Sequence, residues 1–357
     1  MEEYKVKKST LLLLTTLLAL ILALSACGNQ NEGTSSTGDE GEGTEKVSID
    51  IGLLKLTSSA PLFIAIEKGF FEEENIEATP QWFEAAQPIA VATAGESVDV
   101  GATGITASLY NMVSAGQKLW IVADKGREQQ GYSSSALLVP NDSNVTTPKD
   151  LKGKKIGITQ TGSTFHYMAG RILENHDLGL KDVELVPLNS IKGLMEALNS
   201  KQVDAVILNE PNISTVVQEG YGKVITQVGD EIEYQTSGIF FSPTFADNKD
   251  ASIRFLKAYI KASRYYHDAV LVKENGEVVP GENYDEVINI ISKYTDQEPE
   301  LIKKGLPYMD RDGKLLESDI ETQIQWYAKE KLIDQEINVD EIVNTDLLEE
   351  ALDQLGK

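Results

Sequence analysis

Thr161-Gly162-Ser163-Thr164 sets three hydroxyls around a glycine, after an apolar run (Lys154–Thr159) and before a helical pattern. A glycine there lets the backbone approach a ligand closely, and the N–H groups at a helix start, with hydroxyls beside them, suit an oxyanion such as a sulfonate or carboxylate. The same residues also make an ordinary N-cap, with Ser163 or Thr164 closing the helix end. Gln160 precedes them in the same loop. Thr57-Ser58-Ser59, before Ala60-Pro61, carries the same two readings, and Pro61 fits a first helical turn. Thr103-Gly104-Ile105-Thr106 ends another strand pattern, either as a ligand loop or as a strand-to-helix turn, and Gln87 could present its amide to a cleft or to water. Glu210, between Asn209 and Pro211, is the most informative acid. Its carboxylate can pair with a ligand ammonium or amino group, or merely favour a helix N-terminus, with Asn209 as a cap.

Lys55, Lys125 and Arg127 are the cations near these loops, so an anionic group would be held mainly by N–H and hydroxyl donors. With Glu210 present, a zwitterion or an amine-bearing heterocycle fits better than a dianion. Trp82 and Phe83 offer a stacking face or a piece of core. A catalytic constellation is missing. His166, His176 and His267 are far apart and lack metal-site spacing, and there is neither a Gly-x-Ser-x-Gly elbow nor a phosphate-binding Walker loop. Asp310-Arg-Asp-Gly-Lys314 has part of a calcium-loop pattern but reads as a turn. We expect no metal and no cofactor.

Composition narrows the class. Thirty-two Lys and Arg against 56 Asp and Glu give a net charge of −24 over 357 residues, which argues against nucleic acid as a partner. One cysteine rules out an intramolecular disulfide framework. That cysteine, Cys27, follows a basic start (Lys5, Lys7, Lys8), the apolar run Leu11–Ala26 and small residues before it, the pattern of a secretory signal. The passage resembles the bacterial lipoprotein box, which implies cleavage after residue 26, diacylglycerol on Cys27, and anchoring at the outer face of the cell membrane. Gly28 to Lys46 contains no aliphatic or aromatic residue and reads as a tether, so that residues 27–46 would link the lipid to a folded body.

The body repeats a pattern. Val47–Leu54 and Lys154–Thr159 read as strands, Pro88–Gly95 and Ile191–Ser200 as helices, and Val98-Asp99 and Val203-Asp204 open further strands. One offset of 105 residues carries Ile51-Gly52 onto Ile156-Gly157 and Val98-Asp99 onto Val203-Asp204. Alternating strands and helices predict two α/β lobes, each a mostly parallel sheet flanked by helices. Ligands of such sheets sit beyond the carboxyl ends of the strands, where the loops named above fall. Ser133–Pro140 and Tyr234–Phe241 read as the crossings. Lobe one would comprise residues 47–135 and 237–357, and lobe two 136–236.

Four passages give the body a family likeness: Ala60–Ile76 with its Lys-Gly-Phe-Phe, Ala94–Gly101, Asp150–Gly157 followed by Thr161-Gly-Ser163, and Val203–Pro211. Together they resemble the type II extracellular solute-binding proteins of ATP-binding-cassette importers, in the nitrate, sulfonate, taurine and thiamine-pyrimidine branch. The resemblance implies a two-lobe periplasmic-binding-protein-like fold, no enzymatic activity, capture of a small solute between the lobes, and delivery to a separate membrane permease. A monomer is the default. Leu208-Asn209 stands before Glu210 where relatives often carry an aromatic residue, which leaves the solute open. Pyrimidine-synthase enzymes of thiamine biosynthesis share the fold and use a lysine-bound pyridoxal phosphate with a histidine, for which Lys55 and His166 would be the candidates. A surface sensor is a further alternative.

Overall fold

The computed structural model describes residues 45–275 and 277–356. The signal segment, Cys27 and the tether as far as Thr44 lie outside the described residues.

Val47 to Leu53 buries Ile49, Ile51 and Leu53 on alternate positions, the period of a strand. This is β1, followed by β2 (Ile76–Trp82), β3 (Val100–Gly104) and β4 (Trp120–Glu128). The chain then lays down β5 (Ser135–Pro140), β6 (Lys155–Ile158), β7 (Glu184–Pro187), β8 (Ala205–Asn209) and β9 (Gly222–Gln227), and returns with β10 (Tyr234–Phe241). Two five-stranded sheets result, ordered β2-β1-β3-β10-β4 and β7-β6-β8-β5-β9. In the first, β1 runs parallel to β2 and β3, while β10 is antiparallel to β3 and β4. In the second, β6 runs parallel to β7 and β8, while β5 is antiparallel to β8 and β9. Each sheet is thus parallel but for one strand, and that strand is the one formed just after the chain crosses. The mostly parallel sheets match the expectation. β10 joins the first sheet from Tyr234, so that sheet takes residues from before the expected boundary at 237.

The helices that matter below are α1 (Ala60–Glu67), α2 (Ala86–Ala94), α3 (Ala107–Ser114), α4 (Thr164–Asn175), α5 (Ile191–Asn199), α6 (Asn212–Gln218), α7 (Lys249–Val270), α8 (Glu317–Lys329) and α9 (Asp346–Leu355). Helix α1 buries Ala60 through Ala65 without a polar face and packs on α7, as a helix apolar all round must.

The offset of 105 is structural. α2 and α5 coincide end to end under it, as do β3 and β8. Gly52 and Gly157 hold the same place: a Cβ on Gly52 would lie 3.1 Å from Ile89, and one on Gly157 would lie 3.0 Å from Leu194, the residue 105 positions after Ile89. Both glycines let a helix seat closely on its strand. The two aspartates also correspond. Asp50 N–H donates to Asp99 Oδ2, and Lys155 N–H donates to Asp204 Oδ2, both at 2.8 Å. Val-Asp recurs because the carboxylate ties the start of one strand to the turn before the next.

Two segments carry the chain between the sheets. Their meeting point is a buried carboxylate, Glu128 at the end of β4, which accepts hydrogen bonds from Ser133 Oγ, from Ser134 N–H and Oγ, and from Ser135 Oγ. Ser133 Oγ also accepts from Gly229 N–H on the second crossing, at 3.0 Å. Helix α8 falls within the span expected to belong to lobe one, yet it packs on α4. Trp326 lies edge-on to Tyr167 at 4.9 Å, and a Cβ on Gly170 would come within 2.3 Å of the Trp326 ring. Gln323 Nε2 of the same helix donates to the Gln235 carbonyl on β10. α8 therefore touches both halves.

Candidate functional site

β1, β3, β6 and β8 all end at one place, and the residues at those ends, Leu54, Gly104, Thr159 and Asn209, line a cavity of ≈ 50 Å³. Thr164 from the start of α4 and Thr236 and Ser237 from β10 add hydroxyls to the lining, while Phe165, Leu56, Met168 and Ile191 make it apolar elsewhere. Ligands of open parallel sheets bind at such carboxyl ends. Leu54, Leu56 and Ile191 also line a larger cavity of ≈ 320 Å³, continued by Lys55, Trp82, Phe83, Glu84, Lys192, Met195 and Asn212. A compact polar recess thus shares an apolar wall with a wider aromatic and aliphatic one.

One of the places where the halves touch is formed by Gln87, Ala107, Thr161 and Gly162. Gln87 Nε2 donates to the Thr161 carbonyl at 3.0 Å, and Ala107 N–H donates to the Gly162 carbonyl at 2.9 Å. Gly162 has φ +76°, and a Cβ there would meet the Cβ of Ala107 at 2.7 Å. Backbone conformation and close approach both call for glycine at this point. The family profile described as NMT1/THI5 like matches residues 56–269, which spans both walls of the cleft.

The chain belongs to the NMT1/THI5-like family. A Bacillus subtilis (strain 168) protein named for binding aliphatic sulfonates is 26% identical over 352 residues, covering 96% of this chain and 97% of that one. Among solved structures, the alkanesulfonate-binding protein SsuA from Xanthomonas axonopodis pv. citri, bound to MOPS, superposes with a TM-score of 0.70. It is 20% identical, over 85% of this chain and 99% of that one. The periplasmic nitrate-binding protein NrtA from Synechocystis PCC 6803 also gives 0.70, at 17% identity, over 87% of this chain and 89% of that one. At such identities the structures establish the shared fold.

In this NMT1/THI5-like chain the expected site residues divide into three groups. Gly104, Thr164 and Asn209 line the smaller cavity, and Asn209 Nδ2 donates to Ser135 Oγ at 2.7 Å. A second group is buried beside the strand ends. Thr103 Oγ1, Thr106 Oγ1 and Gln160 Oε1 are buried and lack a hydrogen-bond partner among the described residues, and groups in that position normally meet a ligand or ordered water. The third group is occupied internally. Ser163 caps α4 by accepting from His166 N–H at 3.2 Å. Ser59 Oγ donates to the Leu54 carbonyl, Thr57 Oγ1 donates to the Glu210 carbonyl, and Ser58 Oγ accepts from Lys125 Nζ at 3.0 Å. Gln87, Thr161 and Gly162 make the contact between the halves described above.

Glu210 lines neither of these two cavities. Its carboxylate accepts from Ser214 N–H and Ser214 Oγ, both at 3.0 Å, at the start of α6. Gly305 lies flat against it, since a Cβ there would fall 2.0 Å from Glu210 Cγ. Burial raises its carboxyl above the usual range, while the Ser214 bonds and the Lys304 charge pull it down. The structure therefore gives this side chain the helix-end duty.

His166 is engaged at one ring nitrogen only, since its Nε2 is buried and has no hydrogen-bond partner among the described residues. Its Nδ1 accepts from Gly162 N–H at 3.0 Å, burial pushes its pKa down to about 4, and the neutral ring carries its proton on Nε2. Lys55 is ion-paired to Asp296 and half exposed. Lys55 lines the larger cavity and His166 lines neither, so the pair required by the enzyme alternative is not gathered in one recess. Arg127 faces away, donating to the Lys314 carbonyl and pairing with Asp124 and Asp310 at 3.8 Å. Asp310 Oδ1 accepts from Asp312 and Lys314 N–H, so 310–314 is a turn.

Sequence reasoning missed Thr159, Thr236 and Ser237. Thr159 stands one residue before the loop it singled out. Thr236 and Ser237 lie in a strand whose place beside β3 and β4 follows only from the sheet order.

Proposed function

We propose that this chain is the solute-capturing component of an ATP-binding-cassette importer and that it holds a small sulfonate-class anion. The reading rests chiefly on the paired cavities. A recess of ≈ 50 Å³ lined by Thr159, Thr164, Thr236, Ser237 and Asn209 suits one compact oxyanion head. The first two N–H groups of α4 lack acceptors within the helix and add donors. The shared wall of Leu54, Leu56 and Ile191, leading to Trp82 and Phe83, suits a short apolar tail. The names of the similar proteins, sulfonate- and nitrate-binding, support the same class. Residues 47–135 with the chain from Tyr234 onward and residues 136–233 act as the two lobes, with α8 lying across both, and a solute touching both lobes favours the closed arrangement. Diacylglycerol on Cys27 and the segment up to Lys46 hold the body near the permease at the outer face of the membrane.

The test is a thermal-shift and calorimetric panel on residues 28–357, stripped of copurified ligand by partial unfolding. It contains methanesulfonate, ethanesulfonate, taurine, nitrate, an aminopyrimidine and amino acids. A sulfonate at 100 times its dissociation constant stabilises by about 2.7 kcal/mol, which a melting curve resolves. Saturable stabilisation by sulfonates supports the reading. A response confined to an uncharged or cationic solute overturns it.

A further inference from the structure

A buried cation is tied to the hydroxyl loop that follows β1. Lys125, on β4, is 2% exposed, and its Nζ donates to Ser58 Oγ at 3.0 Å, its one hydrogen-bond partner among the described residues. Ser58 is close to the cavity wall. The point where a Cβ on Gly126 would stand lies 3.7 Å from Ser58 Cβ, 3.4 Å from Ser237 Oγ and 3.7 Å from Thr236 Oγ1, and the last two residues line the recess. An ammonium with three donors and a single neutral acceptor is under-satisfied in such a place.

We propose that Lys125 is the specificity-determining cation of this site, supplying through Ser58, Thr236 and Ser237 the positive charge that selects an anionic solute. The inference rests on the anion reading above and names the residue responsible. Burial already lowers the Lys125 pKa to about 7, with Asp124 pulling it upward. The surrounding charges are spoken for. The Asp124 carboxylate accepts from Gly126 N–H, Gln235 Nε2 and Asp310 N–H, while Arg127 pairs with Asp124 and Asp310. Glu128 is clasped by Ser133 to Ser135, and Glu210 by Ser214. β10 brings Gln235, Thr236 and Ser237, which are neutral, and Tyr259 of α7 donates to the Asp124 carbonyl.

An anion arriving in the recess raises the Lys125 pKa, so above pH 7 binding draws one proton from solvent. Below pH 6 the lysine is already charged and uptake vanishes. Calorimetry with ethanesulfonate and with nitrate, at pH 6 and pH 8 in two buffers of different ionisation enthalpy, counts that proton. The expected result is near-zero uptake at pH 6, substantial uptake at pH 8, and affinity that falls as pH rises from 7 to 9. Lys125→Met should weaken anion binding about 30-fold or more and abolish the uptake. Should that variant fail to fold, the wild-type proton count decides alone. Anion binding with no proton uptake at either pH, or with unchanged affinity in folded Lys125→Met, overturns this inference and leaves the solute reading standing. No anion binding at any pH overturns both.

Discussion

The two sheets share a frame and differ in what they mount on it. Gly52 and Gly157 admit a helix at the same spacing, and Asp99 and Asp204 tie the same strand ends. The loops those frames carry have diverged. After β1, Thr57, Ser58 and Ser59 direct their side chains to a neighbouring carbonyl or to a buried lysine. After β6, Gly162 and Ser163 form a helix cap whose backbone also reaches the opposite half. The acids differ similarly, since the second half places Glu210 where the equivalent first-half position is Ile105, a buried aliphatic. Framework positions answer to packing, which is the same problem in both halves. Loop positions are not held to that shared demand, and the two halves use them for different contacts.

Breaking the element that belongs to neither half should have the largest effect. Trp326→Ala removes the ring that fills the hollow over Gly170 and should cost about 3–5 kcal/mol, read as a lower urea midpoint. Gly52→Val and Gly157→Val test the shared frame. Each introduces atoms where a Cβ alone already stands 3.0–3.1 Å from a neighbour, and each should cost about 1–3 kcal/mol. Equal losses in urea denaturation mean that the repeat is energetic as well as geometric, and a large difference would show that one half sets the stability. Glu210→Gln should have the smallest effect. A carboxyl whose folded pKa is raised above its unfolded value costs stability while ionised, and the cost disappears as pH falls through the folded value. The glutamine variant should therefore melt at or slightly above the wild type near pH 8, with the difference closing toward pH 4. Its affinity for ethanesulfonate should be unchanged, and a large loss would place the carboxylate in the site after all.

Much of the frame was legible in the sequence because packing leaves periodic traces. Ile51-Gly52 and Val98-Asp99 recur at one spacing because each answers a local demand of strand and helix. The strands at 135–140 and 234–241 were legible too, as apolar runs after polar loops. The site was legible only where a hydroxyl, an amide or a glycine lay at the end of its own strand or just after it, as with Gly104, Thr164 and Asn209. Thr236 and Ser237 come to the recess through antiparallel pairing with β3 and β4, a relation between residues more than 100 positions apart. Glu210 looked like a ligand group because an acid before Pro211 carries no sign of whether its carboxylate turns outward or folds back onto Ser214. Lys125 was visible as a nearby cation, and only its burial distinguishes it from Lys55.

The serine clasp on Glu128 bears on how the molecule can move. Two short segments run side by side between the sheets and are pinned to each other through Ser133 and Gly229. A single linker would allow swivel and slide as well as bend. A doubled one, stapled at its middle, resists both and leaves essentially one rotational degree of freedom. If the halves part as proposed, the movement would follow a narrow arc, and each encounter would present the same few atoms in the same order.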